Sequence, residues 1–217
     1  MKNAFLIIIF LLVSLMSNAQ LITTKKNGGE KQASYVFASA GVSIPVGLIN
    51  DPKFSPISAS VGPLISLGSH YFFNKRWGMG LIVSGSVYQS KALNSYYNNV
   101  SYSPNGNWTR GQLYISASYT LLLKKRWALD VVQGIGVFYM KKPSFVSYSY
   151  LTYSTTPEKK GWNTGYNIGL KGRVLLKDNI GLFASLNYFY ALDMSTNGAV
   201  GFNSVDCELG IVMNLKK

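Results

Sequence analysis

The chain has one cysteine and one histidine among its 217 residues. One thiol makes no intramolecular disulfide, and neither residue type is abundant enough for a Cys-rich zinc site or an H-E-x-x-H motif. Charge is also scarce. Asp, Glu, Lys and Arg make up 13% of the chain, about half of what an ordinary soluble domain carries. Acid is scarcer still, with 8 Asp and Glu against 21 Lys and Arg, for a formal net charge of +13. Past the first 20 residues no apolar run is long enough for a transmembrane helix, and no i, i+3, i+4, i+7 stripe is sustained. What is present is 47% hydrophobic residues, 14% aromatics with 15 tyrosines, and 21 glycines. That composition excludes intrinsic disorder.

Residues 1–19 read as an address. Lys2 supplies a basic n-region, Ala4 to Leu15 an apolar h-region, and Ser17 and Ala19 small residues before a cut at Gln20. The apolar run is shorter than the roughly 20 residues a spanning helix needs, so a cleaved signal peptide and export are expected. Residues 20–32 are polar and without periodicity, a flexible leader. A single domain is expected over residues 33–217.

In that domain the repeating signal is alternation, the mark of strands with two different faces. Val36, Ala38, Ala40, Val42 and Ile44 oppose Tyr35, Ser39, Gly41 and Ser43. Leu113, Ile115, Ala117, Tyr119 and Leu121 oppose Gln112, Tyr114, Ser116, Ser118 and Thr120. Eight segments behave this way, near residues 35–44, 59–71, 77–87, 112–121, 127–139, 163–174, 180–190 and 204–215. A soluble sandwich also alternates, but its outer face is rich in Lys, Glu and Asp. Here the polar face is mostly Gly, Ser, Asn and Thr, while the apolar face is continuous and bounded by aromatics. A lipid-facing wall around a narrow polar lumen needs that composition.

Connections alternate in length. Phe73-Asn74-Lys75-Arg76-Trp77, Leu123-Lys124-Lys125-Arg126-Trp127 and Leu176-Lys177-Asp178-Asn179-Ile180 are tight. Longer stretches lie near residues 47–57, 90–109, 141–160 and 194–202. Three short turns and four long loops give an all-β, eight-stranded antiparallel transmembrane barrel, with short periplasmic turns, longer extracellular loops and both termini periplasmic. Tyr71, Phe72, Phe73, Trp77 and Trp127 near the turns, and Tyr88, Trp108, Tyr139, Trp162 and Tyr190 near the loops, are candidates for two interfacial girdles.

The signal ending Ser17-Asn18-Ala19, the eight alternating segments and the NKRW, KKRW and KDN turns make the chain similar to the small eight-stranded outer-membrane β-barrels of Gram-negative bacteria, the OmpA/OmpX kind. The resemblance covers residues 33–217. It implies an integral outer-membrane protein, in contact with outer-membrane lipids and lipopolysaccharide, inserted by the barrel-assembly machinery. Members commonly end in an aromatic residue that this machinery reads; here Leu215 is followed by Lys216-Lys217.

Asp130, Lys171, Arg173, Asp206 and Glu208 fall on the lumen face, where two bases and three acids would form a charge network filling the interior. A narrow ion or small-solute pore is the alternative reading, and an accessory barrel of a secretion or assembly system a further one. Lys141, Lys142, Lys159 and Lys160 bracket the third long loop and are candidate contacts for lipopolysaccharide phosphates. Tyrosines with Ser and Asn in the second and third loops suit an extracellular protein partner. Ser69 and His70 are strand neighbours pointing to opposite faces, so they make no catalytic pair. Cys207 falls on the apolar face. No catalytic residue, metal or cofactor is expected, and the scattered basic residues do not form a nucleic-acid stripe.

Overall fold

The computed structural model describes residues 34–47, 57–92, 100–124, 126–149, 152–177, 179–192 and 202–215. The expected signal peptide, the leader and the last two lysines lie outside these residues. The described chain is all strand: β1 (Tyr35–Val46), β2 (Ile57–Ala59), β3 (Gly62–Phe72), β4 (Trp77–Ala92), β5 (Ser101–Asn105), β6 (Asn107–Leu123), β7 (Trp127–Lys142), β8 (Ser144–Ser149), β9 (Thr152–Thr156), β10 (Lys159–Leu175), β11 (Ile180–Leu192) and β12 (Asn203–Asn214).

Eight of these close into a barrel. Going round the wall the order is β1, β3, β4, β6, β7, β10, β11 and β12, every neighbour antiparallel, and β12 returns to β1. Closure gives every strand of the wall a hydrogen-bonded neighbour on both sides, as backbone N–H and C=O groups need in hydrocarbon. The chain reverses between Phe72 and Trp77, between Leu123 and Trp127 and between Leu175 and Ile180, giving three hairpins. In the first, the Asn74 side-chain oxygen accepts from the backbone N–H of Arg76 at 2.8 Å and of Trp77 at 2.9 Å, an Asx turn that sets the reversal. Tyr35 and Asn214 are register partners, so β1 begins and β12 ends at this turn end.

Strand parity sorts the side chains. Ile65, Leu67, Met79, Ile115, Ile135, Leu170, Leu182, Leu209, Ile211 and Met213 point outward and are exposed. Their intervening neighbours Ser66, Ser84, Ser116, Asp130, Lys171, Ser185 and Asp206 point inward and are buried. A globular core would invert this distribution.

Two features depart from the sequence reading. The interior is not lined by small polar residues alone, because Phe37, Phe183 and Phe189 also point inward. Glycines on neighbouring strands make the room. A Cβ added at Gly68 would lie 2.7 Å from the Phe37 ring, and one at Gly165 would lie 2.5 Å from Phe189. Phe72, Tyr88 and Trp108, candidates for the girdles, are likewise inside the barrel. Each shares the parity of inward neighbours, His70, Ser86 and Arg110.

The wall also extends further toward the loops than alternation alone indicates. Residues 90–92, 107–109, 141–142 and 159–160, read as loop, belong to β4, β6, β7 and β10. Above them β5, β8 and β9 make a separate three-stranded sheet, and β2 adds to the outer end of β4. Ser144–Ser149 and Thr152–Thr156 pair as antiparallel strands of this crown, with Tyr148 opposite Tyr153.

Candidate functional site

The lumen is filled in layers. At the turn end Asp130 on β7 accepts from the Arg173 Nε at 2.8 Å and from the Thr120 hydroxyl at 2.7 Å. The Arg173 guanidinium carbon lies 4.5 Å from the Tyr35 ring centre and 5.4 Å from that of Phe72. His70 stacks on Tyr35 with ring centres 5.3 Å apart. Ser69, its neighbour, is on the opposite, outer face, so the two do not pair.

In the middle, the Lys171 ammonium sits 3.7 Å from the Phe37 ring centre and 4.7 Å from that of Phe183. Such contacts favour a desolvated cation. Glu208 accepts from the Ser39 hydroxyl at 2.5 Å and from the Asn187 amide at 3.2 Å.

Near the loop end, Arg110 on β6 reaches Asp206 on β12, Nη2 to Oδ2 at 2.7 Å. These strands stand opposite each other in the closed ring, so the pair bridges the whole lumen. Arg110 also donates to Ser204, and Asp206 accepts from Ser43 and, at 2.9 Å, from Ser204. Tyr88 joins through Ser43 at 2.9 Å and Ser86 at 2.6 Å. The guanidinium lies 4.8 Å from the Phe189 ring centre. Over this layer an apolar cap of Ile57, Trp108, Phe138, Phe145, Phe189 and Phe202 is packed together.

Among the described residues the buried charges are therefore Arg110, Lys171 and Arg173 against Asp130, Asp206 and Glu208, three of each sign. The five residues read from sequence all lie inside, but not as one network. Arg173 joins Asp130, whereas Asp206 meets neither base of β10. Its partner is Arg110, which falls between the long connection near 90–109 and the alternating segment that begins at Gln112. The signal was available, since Arg110 continues the two-residue step of Tyr114 and Gln112.

The outer wall carries the remaining candidates. Tyr71, Phe73, Trp77 and Trp127 lie outward near the turns, and Trp162 and Tyr190 outward near the loops. Trp77 packs on Tyr119 at 4.8 Å and Trp162 on Tyr139 at 5.4 Å between ring centres. Cys207 is partly exposed on the same face. The four lysines come together at the loop end of β7 and β10, where Lys160 pairs in register with Lys141 and Lys159 with Lys142. They divide by face. Lys141 and Lys160 both bind Glu158, at 2.6 and 2.7 Å. Hydrogen bonds from Lys141 first, then Lys160, hold the Glu158 carboxyl below its ordinary range. Lys142 instead lies over the rings of Trp108 and Phe145, at 5.5 and 5.8 Å.

No family model matches this chain, and no curated protein matches it. Among solved structures it is similar to Neisserial surface protein A (NspA), with 12% identity over 86% of this chain and 99% of that one, at a TM-score of 0.52. Ail of Yersinia pestis, solved with the heparin analogue sucrose octasulfate, aligns at 10% identity over 85% of this chain and all of its own, with a TM-score of 0.46. OprG of Pseudomonas aeruginosa aligns at 12% identity over 87% and 99%, with a TM-score of 0.46. The likeness to the Neisserial protein is one of fold: this chain has the closed eight-stranded architecture of small outer-membrane barrels.

Proposed function

We propose that this chain is an integral outer-membrane barrel whose lumen is sealed, and that its role is structural and surface-presenting rather than catalytic. One observation carries the reading: among the described residues the interior holds equal numbers of buried cations and anions, tied to hydroxyls and aromatic rings, beneath an apolar cap. An eight-stranded barrel is just wide enough for side chains to fill. The exposed apolar wall supports a lipid environment, because in water it would be an adhesive surface of far more than a few hundred Å². In this reading the turns and both termini face the periplasm, the barrel-assembly machinery inserts the chain, and the crown of β5, β8 and β9 stands outside, available to a protein partner.

Electrophoresis of detergent-extracted membranes, boiled and unboiled, tests insertion. A boiling-dependent mobility shift is expected, and protease added to intact cells should cut only in the long connections. A chain that is soluble without detergent would overturn the reading. Planar-bilayer recording tests the seal, with no discrete conductance expected. Steps that change on replacing Lys171, Arg173 or Glu208 would establish a pore instead.

A further inference from the structure

We propose that the outer face of the β7–β10 seam binds the phosphorylated head of a multiply acylated membrane glycolipid, with Lys141 and Lys160 as its phosphate contacts. This rests on the reading that the barrel lies in the outer membrane.

The argument is the order of rungs up the seam. Outward-facing register pairs run Ile135–Tyr166, Val137–Thr164, Tyr139–Trp162 and Lys141–Lys160. Successive rungs are two residues apart, about 7 Å along a strand. From the belt toward the loops the wall thus passes from a mostly apolar pair to an aromatic pair to a cationic pair. A lipid presents the complementary order: acyl chains, interface, then phosphate. Trp162 is 70% exposed and packs on Tyr139 alone among the described aromatic contacts, leaving its other face for acyl chain or sugar.

The cationic rung is pre-arranged. Glu158 holds both ammonium groups at 2.6 and 2.7 Å, so two lysines with long, flexible stems are set side by side on one bridging anion. A phosphate offers the same bridging oxygens and competes for the same donors. One carboxylate against two ammoniums leaves the rung net positive. Thr109 on β6 is the register neighbour of Lys141 on its other side, adding a hydroxyl to the same rim. Among the described residues no other barrel seam sets two cations opposite each other at the loop end. Lys142 and Lys159, the next pair in register, are not part of the outward rung, since Lys142 is committed to the Trp108 and Phe145 rings.

The test is retention of lipid by the detergent-purified full chain, measured by native mass spectrometry with bisphosphorylated lipid A and its dephosphorylated form as probes. Wild type should retain the phosphorylated form selectively. A Lys141→Gln/Lys160→Gln variant should lose about five- to tenfold in retention, the scale of two partly exposed charge contacts. Glu158→Gln should bind more tightly, because it removes the internal competitor. A merely structural clip predicts the opposite. Trp162→Ala should weaken lipid retention while leaving competition by inorganic phosphate unchanged, which separates a lipid ligand from free phosphate. Equal retention of the dephosphorylated lipid overturns the proposal. So does wild-type retention by the double-lysine variant in its heat-modifiable, folded form. Failure of any chain to give that form would instead overturn the membrane reading beneath it.

Discussion

The two ends of the barrel each hold an arginine–aspartate pair of nearly the same length, 2.8 Å for Arg173–Asp130 and 2.7 Å for Arg110–Asp206. Their placement differs. Arg173 and Asp130 stand on adjacent strands, β10 and β7, with Thr120 on the next strand. Near the turns the charge contact therefore reinforces wall that backbone hydrogen bonds already hold. Arg110 and Asp206 come from opposite sides of the ring, with Ser43, Ser204 and Tyr88 gathered around them. Near the loops the contact is a strut across space that no ladder spans. The same ion pair is thus a local tie at one end and a long-range brace at the other.

The sharpest way to break this comparison is at the brace. Arg110 is 1% exposed, and removing one member of a buried pair leaves the other uncompensated, at about 3–5 kcal/mol. Arg110→Ala is expected to lose that much in urea unfolding from lipid vesicles, followed by the folded-to-unfolded gel shift. Replacing both members, Arg110→Leu with Asp206→Leu, should recover much of the loss, since a packed apolar pair can equal a buried ionic one. A double variant no better than the single would show that the hydroxyl cluster, not the charge pair, organises this end.

The tie should matter less. Arg173→Ala leaves Asp130 with the Thr120 hydroxyl and a continuous ladder on both sides, so a loss of about 3 kcal/mol, the lower bound for such a pair, is expected in the same assay. A loss exceeding that of Arg110→Ala would reverse the comparison. A smaller effect is expected from the turn beneath. Asn74→Ala removes two local acceptor contacts, at about 1 kcal/mol, and should mainly slow formation of the β3–β4 hairpin, read as a slower gel shift during refolding.

Most of the wall was legible because a period of two leaves one way to face lipid and lumen together. In Leu129-Asp130-Val131 the acid between apolar neighbours could only point inward, and that one triplet orients β7. What escaped did so for identifiable reasons. Residues 101–109, SYSPNGNWT, carry Pro and Gly and no apolar face, so local pattern ends the strand at Gln112. The β4–β6 ladder instead runs to Gln89–Asn107, because pairing in a closed sheet continues where neighbours offer partners. Arg110, and with it the brace, fell into that gap. For Phe72, Tyr88 and Trp108 residue type alone points to a girdle, yet aromatics suit an interface and a plug equally, and only parity separates them. Glu158 carries no sequence signal, because a single acid beside a proline has no pattern. Its meaning depends on Lys141, 17 positions earlier and brought alongside by the β7–β10 register.

That clip is where the loop end is weakest, and it gives the smallest effect. Glu158 is solvated, so its two ion pairs add little to global stability. Their pH dependence has a definite sign. Because the lysines hold the carboxyl below its ordinary value, the clip is intact above the unfolded glutamate value of about 4.3. It is lost only as pH falls through the depressed folded value. Global unfolding should not register this step. The protection factors of the outermost β7 and β10 amides, taken relative to intrinsic exchange at each pH, should fall as acid goes below the unfolded glutamate value, while amides beside Arg110 keep theirs. Glu158→Gln should show the faster exchange already at neutral pH, with no further acid step. An equal acid step in both proteins would place the titrating group elsewhere. A step shared by the Arg110 layer would mean that clip and brace open together, making the loop end one cooperative unit rather than a rigid strut beneath a loosely pinned rim.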